Sequence, residues 1–346
     1  RGAWDPVKPA GRAAVSIALL TGNAIRIDIT PLGVAVTPSV MPVRLSDVRG
    51  RVVIDAGRVE MHDMTASRGD SRLTLSGTGS TSPRGAWDVK LRATDVLADD
   101  ELRTAMPSSL RDTLTSLDLK GTADLEVRKL AFTPGLDSPG QGRASKPAGT
   151  PPGAGASADF DVTLTPKDLT ASLGVPLRAT SGTVTLAGTL RDDRLSTLTG
   201  SILLATGDMA ARPFRNLSTT LAKRDGTPGI ALDSLSGTLA DGELAGRAAV
   251  VFPDNAPTRY AMELLLRNAD VRLLAGAAAD PATLSASPVS GRLSASLALE
   301  GSVDNAATRK GRGDINVTGE QMARIPVLLG LIQVANLSLP GGTSFN

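Results

Sequence analysis

Residues 117–127 read Leu-Asp-Leu-Lys-Gly-Thr-Ala-Asp-Leu-Glu-Val, so apolar or small residues alternate with polar ones over the whole stretch. A period of two over this length predicts a β-strand with one apolar face and one solvated face. The apolar face of this strand would carry Leu119, Ala123, Leu125 and Val127. The stretch therefore predicts a sheet that is dry on one side only.

The same alternation recurs along the chain, with turn residues between the alternating stretches at hairpin spacing. Consecutive short stretches of this kind predict a meandering antiparallel sheet. One of the predicted turns lies at 31–33, where Pro31 and Gly33 flank Leu32. Besides the four residues above, the positions predicted to share the apolar side are Val15, Ile17, Val52, Ile54, Leu73, Leu75, Val184, Leu186, Leu297 and Leu299.

Glycines inside the predicted strands, such as Gly77, Gly121 and Gly301, weaken regular pairing but permit bulges and bends. We therefore expect a mainly β fold with a long, strongly curved antiparallel sheet. Its apolar side would form an aliphatic groove. The alternative is that some of these glycines simply end strands beside turns.

Three stretches depart from the period of two and predict short helices. The first, near 99–116, has Asp99 or Asp100 as a candidate N-cap, and Pro107 would interrupt it. The second lies near 268–279. The third, near 326–335, is apolar around most of its circumference, so we expect it to line or plug one end of the groove, with an ordinary core helix as the alternative. Its contacting residues would be Ile325, Leu328, Leu329 and Ile332.

Residues 135–158 are rich in Pro, Gly, Ser and Ala, and this composition predicts a disordered linker or loop. It separates a β segment at 1–134 from a second one at 159–346. Because the strand design is the same on both sides, we expect one continuous sheet, with two independent domains as the alternative.

Composition excludes several classes of protein. One histidine and no cysteine cannot supply the usual zinc ligands, and aromatic residues are only 2% of the 346 residues. The net charge of +2 comes from balanced basic and acidic residues rather than the basic stripe of a nucleic-acid reader. No nucleophile elbow or phosphate-binding loop is present. We therefore expect no enzymatic activity, no cofactor, no metal and no nucleic-acid partner.

No stretch is long and apolar enough for a transmembrane helix. The sequence begins at Arg1 rather than at a methionine, so we interpret it as part of a longer protein. A signal peptide or membrane anchor would then lie outside it.

The sequence resembles the AsmA-like and TamB-like proteins of bacteria with two membranes, a superfamily of bridge-like lipid-transfer proteins. The resemblance is carried by repeated apolar-x-Gly steps and by the closing region. These are Leu75-Ser-Gly77, Leu119-Lys-Gly121, Leu235-Ser-Gly237 and Leu299-Glu-Gly301, then Gly311-x-Gly313-x-Ile315-x-Val317, Ile325-Pro-Val-Leu-Leu and Asn336-Leu-Ser-Leu-Pro340.

This resemblance implies a periplasmic, envelope-located groove that carries phospholipid between the inner and outer membranes and contributes to outer-membrane assembly. It also implies an inner-membrane anchor outside the present sequence. The partners would be phospholipid acyl chains and the two membranes. A structural or adhesive β-rich spacer without lipid cargo is the alternative, and an enzyme is the third hypothesis.

Overall fold

The computed structural model describes residues 7–19, 25–38, 42–82, 85–105, 111, 115, 118–133, 157–172, 176–191, 194–253, 257–275, 291–302 and 305–319. The predicted helix at 326–335, with Ile325, Leu328, Leu329 and Ile332, lies outside the described residues. Most of the predicted linker lies outside them as well. Its last two residues, Ser157 and Ala158, already belong to a strand.

The described residues form sixteen β-strands, two short α-helices and one 3-10 turn. In chain order these are β1 Ala13–Leu19, β2 Ile25–Val36, β3 Leu45–Asp55, β4 Arg58–Arg68, β5 Ser71–Ser80, β6 Trp87–Leu97, α1 Asp100–Ala105, β7 Lys120–Thr133, β8 Ser157–Ser172, β9 Pro176–Arg191, β10 Arg194–Met209, β11 Arg212–Lys223, β12 Gly229–Leu239, β13 Gly242–Val251, β14 Arg259–Asp270, α2 Val271–Ala275, β15 Arg292–Ser302, the 3-10 turn Ala306–Thr308 and β16 Lys310–Thr318.

All sixteen strands belong to one open sheet, in which each strand is bonded to the strands that precede and follow it in the chain. The pairings are antiparallel wherever their register is defined. This order confirms the predicted mainly β fold and the meandering antiparallel sheet. Hairpin connections suffice for it, since no strand has to cross over another.

The chain divides into two compact units. The first comprises Arg1–Leu169 and Thr185–Thr197, and the second comprises Thr170–Val184 and Leu198–Asn346. The division falls within β8, β9 and β10 rather than at the predicted linker.

In the first unit, the cross-strand register aligns apolar residues into rows that run across the strands. The longest row crosses seven strands, from β1 to β7. Because directly paired residues of an antiparallel sheet lie on the same face, each row belongs to one side of the sheet. This row consists of Val15, Ile29, Val52, Met61, Gly77, Val89 and Leu130.

Bulges interrupt the strict alternation, and the sequence changes phase with them. In β4 the register shifts between Met61 and Met64, so the next aliphatic residue comes after two intervening residues instead of one. In β7 the same step separates Val127 from Leu130. A bulge places two residues opposite one and would otherwise turn the following side chains to the wrong face. The altered spacing keeps them on the same side.

The predicted turn at 31–33 is wrong. Strand β2 continues through Pro31, and Gly33 adopts a φ of +74° at a register shift between Leu32 and Val34. Glycine tolerates this left-handed conformation without a steric penalty, so the stretch forms a bulge inside a long strand instead of a hairpin turn.

Gly121 has a structural role at the start of β7. A Cβ atom there would lie 1.9 Å from the backbone oxygen of Asp168, and the residue has a φ of +107°. Any side chain would therefore collide with backbone and strain the conformation. The observed strand also begins three residues later than the stretch 117–127 and extends to Thr133, so Leu119 lies just before it.

In the second unit, two clusters of buried apolar residues form the core. The first joins strands β9 to β14, and the second lies where α2 meets β14 and β15. The members of the first are Ala179, Leu204, Phe214, Leu217 and Leu244, and those of the second are Ala240, Ala269, Val271, Leu274 and Leu293.

Both described helices are short insertions between paired strands. Asp99 is the N-cap of α1, since its carboxylate accepts a hydrogen bond from the backbone N–H of Leu102 at 2.8 Å. Helix α2 begins at Val271, later than the predicted start near residue 268, because β14 continues to Asp270. In that strand a bulge between Leu266 and Ala269 extends the pairing with β15.

Arg212 connects α2 to the sheet through hydrogen bonds. It is only 6% exposed, its Nε donates to the carbonyl oxygen of Leu274 at 2.9 Å, and a second nitrogen donates to the carbonyl of Ala210. Burial lowers the pKa of the guanidinium. Two carbonyl acceptors partly offset the cost of burying this charge.

Replacing Arg212 with Ala should lower the free energy of unfolding by about 1–3 kcal/mol, because the change leaves buried carbonyl groups without a donor. Arg215→Ala is the matched control on the same strand. Arg215 forms an exposed ion pair with Asp241, so its loss should cost less than about 1 kcal/mol. Urea unfolding of both variants measures the difference, and equal losses would contradict an anchoring role for Arg212.

Candidate functional site

One side of the sheet in each unit carries the aligned aliphatic rows, and we name it the aliphatic face. In the first unit the row containing Val15 and Val52 is followed by a row that includes Ile17, Ile27, Ile54 and Val59. The ring of Trp87 covers Gly79 beside this second row and stacks on Phe132 with ring centroids 6.3 Å apart.

The predicted apolar residues of the first unit fall on this face where the register defines it. Leu73 pairs with Ala93, and Ala93 pairs with Leu125, so the three side chains form one row. A parallel row places Leu75 and Val127 on either side of Leu91, and Ala123 pairs with Val96. Leu119 precedes the ladder and is half-buried. Leu186 lies half-buried in β9.

In the second unit, the aliphatic face spans β12 to β16. Leu297 lies in a row between Leu264 and Gly313, and Leu299 lies in a row between Met262 and Gly311. Val184 packs against the core cluster around Leu204 and Phe214. The register thus places the predicted residues of β1 to β7 on one face in the first unit, and Leu297 and Leu299 on one face in the second.

Exposure on the aliphatic face rises toward the edge strands. Val127 and Leu244 are buried, whereas Ile17 on β1 is 65% exposed and Ile315 on β16 is 45% exposed. A side chain on an interior strand has cross-strand neighbours on both sides, whereas a side chain on an edge strand lacks one of them. The edges therefore leave large aliphatic side chains in contact with solvent.

The opposite side of the sheet carries charged residues, and we name it the charged face. Lys167 binds Asp95 at 2.6 Å and Asp124 at 2.8 Å, and Arg247 binds Glu263 at 2.8 Å. The hydrogen bond from Lys167 lowers the pKa of Asp124, and the carboxylates raise the pKa of Lys167. Exposed ion pairs contribute little to stability, but they fix which face remains in water.

A cavity of about 500 Å³ lies over strands β12 to β16, and most of its lining belongs to the charged face. Ala231, Ala249 and Ala261, which are paired in sequence across β12 to β14, form part of its floor beside longer side chains such as Arg247 and Glu300. The aliphatic face contributes only Ala248, Met262, Leu299 and Gly311. We interpret the cavity as a surface trough left by small residues.

Sequence reasoning missed the arginines at the margins of the aliphatic face, among them Arg68 and Arg212. Arg68 lies two residues after Ala66 in an unshifted ladder, so it shares that face, and it binds Asp99 at 2.5 Å and Glu101 at 3.0 Å. Arg212 lies two residues before Phe214, also in an unshifted ladder, so these two residues share the aliphatic face. The phase of the bulges places both residues there, and bulge positions are not evident from hydropathy alone.

Within the described ranges, no group of three or more His, Cys, Asp or Glu residues is arranged to hold a metal ion. Neither described helix has the length and apolar character needed to cross a bilayer.

Comparisons with known proteins add no relative. No family model matches the sequence, and neither curated proteins nor solved structures yield a match.

The contact between Arg68 and Asp99 predicts a pH dependence. Partial burial alone would raise the pKa of Asp99, but hydrogen bonds from Arg68 and from the N–H of Leu102 outweigh it and lower the pKa. Asp99 therefore stabilises the fold fully above its ordinary value, 3.8, and this stabilisation is lost as the pH falls through the lowered folded-state pKa.

We expect Asp99→Asn to lower the free energy of unfolding at neutral pH. The difference in the free energy of unfolding between this variant and the wild type should disappear in acid. Urea unfolding between neutral and acidic pH measures it, with Asp100→Asn as the control, since the Asp100 side chain is 93% exposed. A gap that stayed constant down to the lowest pH would show that the charge of Asp99 is not responsible.

Proposed function

We propose that this chain binds the acyl chains of lipids along its aliphatic face and takes part in non-enzymatic phospholipid transport between two membranes. The observation that carries the proposal is the alignment of apolar residues on one face, in rows that cross as many as seven strands. Among the described residues, every strand belongs to the same sheet, so no second sheet covers this face.

The dimensions suit an acyl chain. Neighbouring strands lie about 4.8 Å apart, so the seven-strand row from Val15 to Leu130 extends over about 29 Å. Half of a bilayer's hydrocarbon core is about 15 Å thick. One row is therefore long enough to shield an extended acyl chain along its length.

Shielding an acyl chain from water requires a continuous apolar surface. Exposing a sixteen-carbon chain to water costs on the order of 13 kcal/mol at about 0.8 kcal/mol per methylene. A single charged residue within the path would also have to lose its hydration. The exposed aliphatic residues of β1 and β16 support a lipid contact, and the arginines that share this face lie at its margins.

The resemblance to AsmA-like and TamB-like proteins supports a place in the bacterial envelope. There the chain would lie in the periplasm, and segments outside the present sequence would reach the inner and outer membranes. The proposed function requires no cofactor and no catalytic residue.

Photo-crosslinking tests the proposal at the two edge strands. A photo-reactive residue at Ile17 or Ile315 should crosslink to phospholipid in cells, because both side chains are exposed on the aliphatic face. The matched controls are Ala18 and Asn316, which are the next residues on the same strands and are exposed on the charged face. Mass spectrometry of the adducts identifies the crosslinked partner.

Adducts to protein alone at both Ile17 and Ile315 would contradict lipid binding. That result would support a structural spacer, whose aliphatic face is closed by other protein segments.

A second test places a carboxylate within the face. Leu297→Asp should weaken lipid binding at least about tenfold, because a charge in the acyl path costs several kcal/mol of desolvation. Ser296→Asp adds the same charge one residue away on the charged face and should leave binding unchanged. Lipid co-purification and thermal unfolding separate lost binding from lost folding. Equal lipid content in both folded variants would count against the proposed face.

A further inference from the structure

In the second unit, one row of the aliphatic face ends beside a cationic side chain, that of Arg309. Ile230, Val250, Tyr260 and Gly301 are paired in sequence across β12 to β15 and form a row. Beyond Gly301 lies Arg309, whose Cα is 3.1 Å from the position that a Cβ on Gly301 would occupy. The row therefore changes from aliphatic to basic at its β16 end.

Arg309 differs from the two other arginines at the margins of the aliphatic face. Arg68 binds two carboxylates and Arg212 binds two carbonyl oxygens. The Nε of Arg309 is buried without a hydrogen-bond partner, as is the Nε of Arg68, but Arg309 alone of the three forms no hydrogen bond and no ion pair with any described residue. A buried cationic donor without an acceptor is unfavourable. The other guanidinium nitrogens of Arg309 have no acceptor among the described residues either, and they can donate to a ligand.

Gly301 allows the side chains of Tyr260 and Arg309 to pack closely over its backbone. The Oη atom of Tyr260 and the Cγ atom of Arg309 each lie 3.1 Å from the position that a Cβ atom at residue 301 would occupy. A side chain at residue 301 would therefore crowd both of them. The tyrosine hydroxyl can donate one hydrogen bond, and the guanidinium can donate several in a fork that matches an oxyanion.

The residues around Arg309 and Tyr260 favour a ligand in which an anionic group is attached to an apolar one. The next two rows of the same face pair Met262 with Leu299 and Leu264 with Leu297, and neither contains an acidic residue. The nearby carboxylate Glu300 lies on the charged face, where it is directly opposite Lys310. The donors thus stand at the end of an aliphatic surface and have no carboxylate partner on it.

We propose that Arg309 and Tyr260 bind the anionic head group of a lipid, a phosphate or a carboxylate, whose acyl chain lies along the rows of Leu299 and Leu297. This inference rests on the proposed function and adds to it a head-group site and a preference for acidic lipids. Arg309 supplies the charge and Tyr260 supplies the second donor. Gly301 lets both side chains approach its backbone closely.

The test uses two ligands with the same acyl chains, dioctanoyl phosphatidic acid and dioctanoylglycerol, and measures their dissociation constants with the full chain. The wild type should bind the phosphate-bearing lipid at least about tenfold more tightly, since charge-assisted hydrogen bonds add to the shared acyl contact. Arg309→Gln should abolish this preference and leave dioctanoylglycerol binding unchanged.

Three further variants keep the test decisive. Tyr260→Phe removes only a hydroxyl and should reduce the preference even if Arg309→Gln fails to fold. Arg309→Lys should retain part of it, because the charge remains but the fork is lost. Lys310→Gln is the control, because it removes a neighbouring charge on the opposite face and should leave the preference intact.

The outcomes separate this inference from the proposed function. Equal affinity of the wild type for both lipids, or a preference that survives in folded Arg309→Gln, overturns the head-group site and leaves acyl binding standing. Binding of neither lipid overturns both. If inorganic phosphate alone binds as tightly as dioctanoyl phosphatidic acid, the site accepts a free anion and the lipid head-group assignment is wrong.

Discussion

The constraint on which the structure depends is that aliphatic side chains remain on one face of a single-layer sheet. A slip of one residue in a strand would turn a whole series of aliphatic residues toward the charged side. Bulges introduce such a slip in several strands. The spacing of the aliphatic residues along the strand changes at the bulge, as between Met61 and Met64. The rows survive because the bulges and the hydrophobic spacing change together.

Cross-strand packing replaces the second layer that usually covers a sheet. Leu204, Leu217 and Leu244 are buried although they belong to the same sheet, because side chains on adjacent strands and at neighbouring rows surround them. Near the edge strands this mutual cover is incomplete, and Ile17 and Ile315 stay exposed. This incomplete burial makes the edge strands a poor core, but it leaves their aliphatic side chains available for contact with an apolar ligand.

The three arginines at the margins of the aliphatic face show three ways of accommodating a cation beside apolar surface. Arg68 is neutralised by the carboxylates that also belong to the start of α1, and Arg212 is solvated by backbone carbonyls near α2. Both serve to hold a short helix to the sheet. Arg309 alone forms no hydrogen bond and no ion pair with any described residue, which is why we assign it to a ligand rather than to folding.

The sequence by itself determined the strands, the sidedness of the sheet and the meandering antiparallel order, because a period of two is a local property that needs no partner to be recognised. It also determined the cap of α1 to within one residue, since a carboxylate before a helix satisfies local N–H groups. Only the tertiary structure decided where the bulges lie, and so which residues align into rows. It alone brought Arg309 and Tyr260 to the two sides of Gly301. Register depends on hydrogen bonds between strands that are distant in sequence, and no local pattern fixes it.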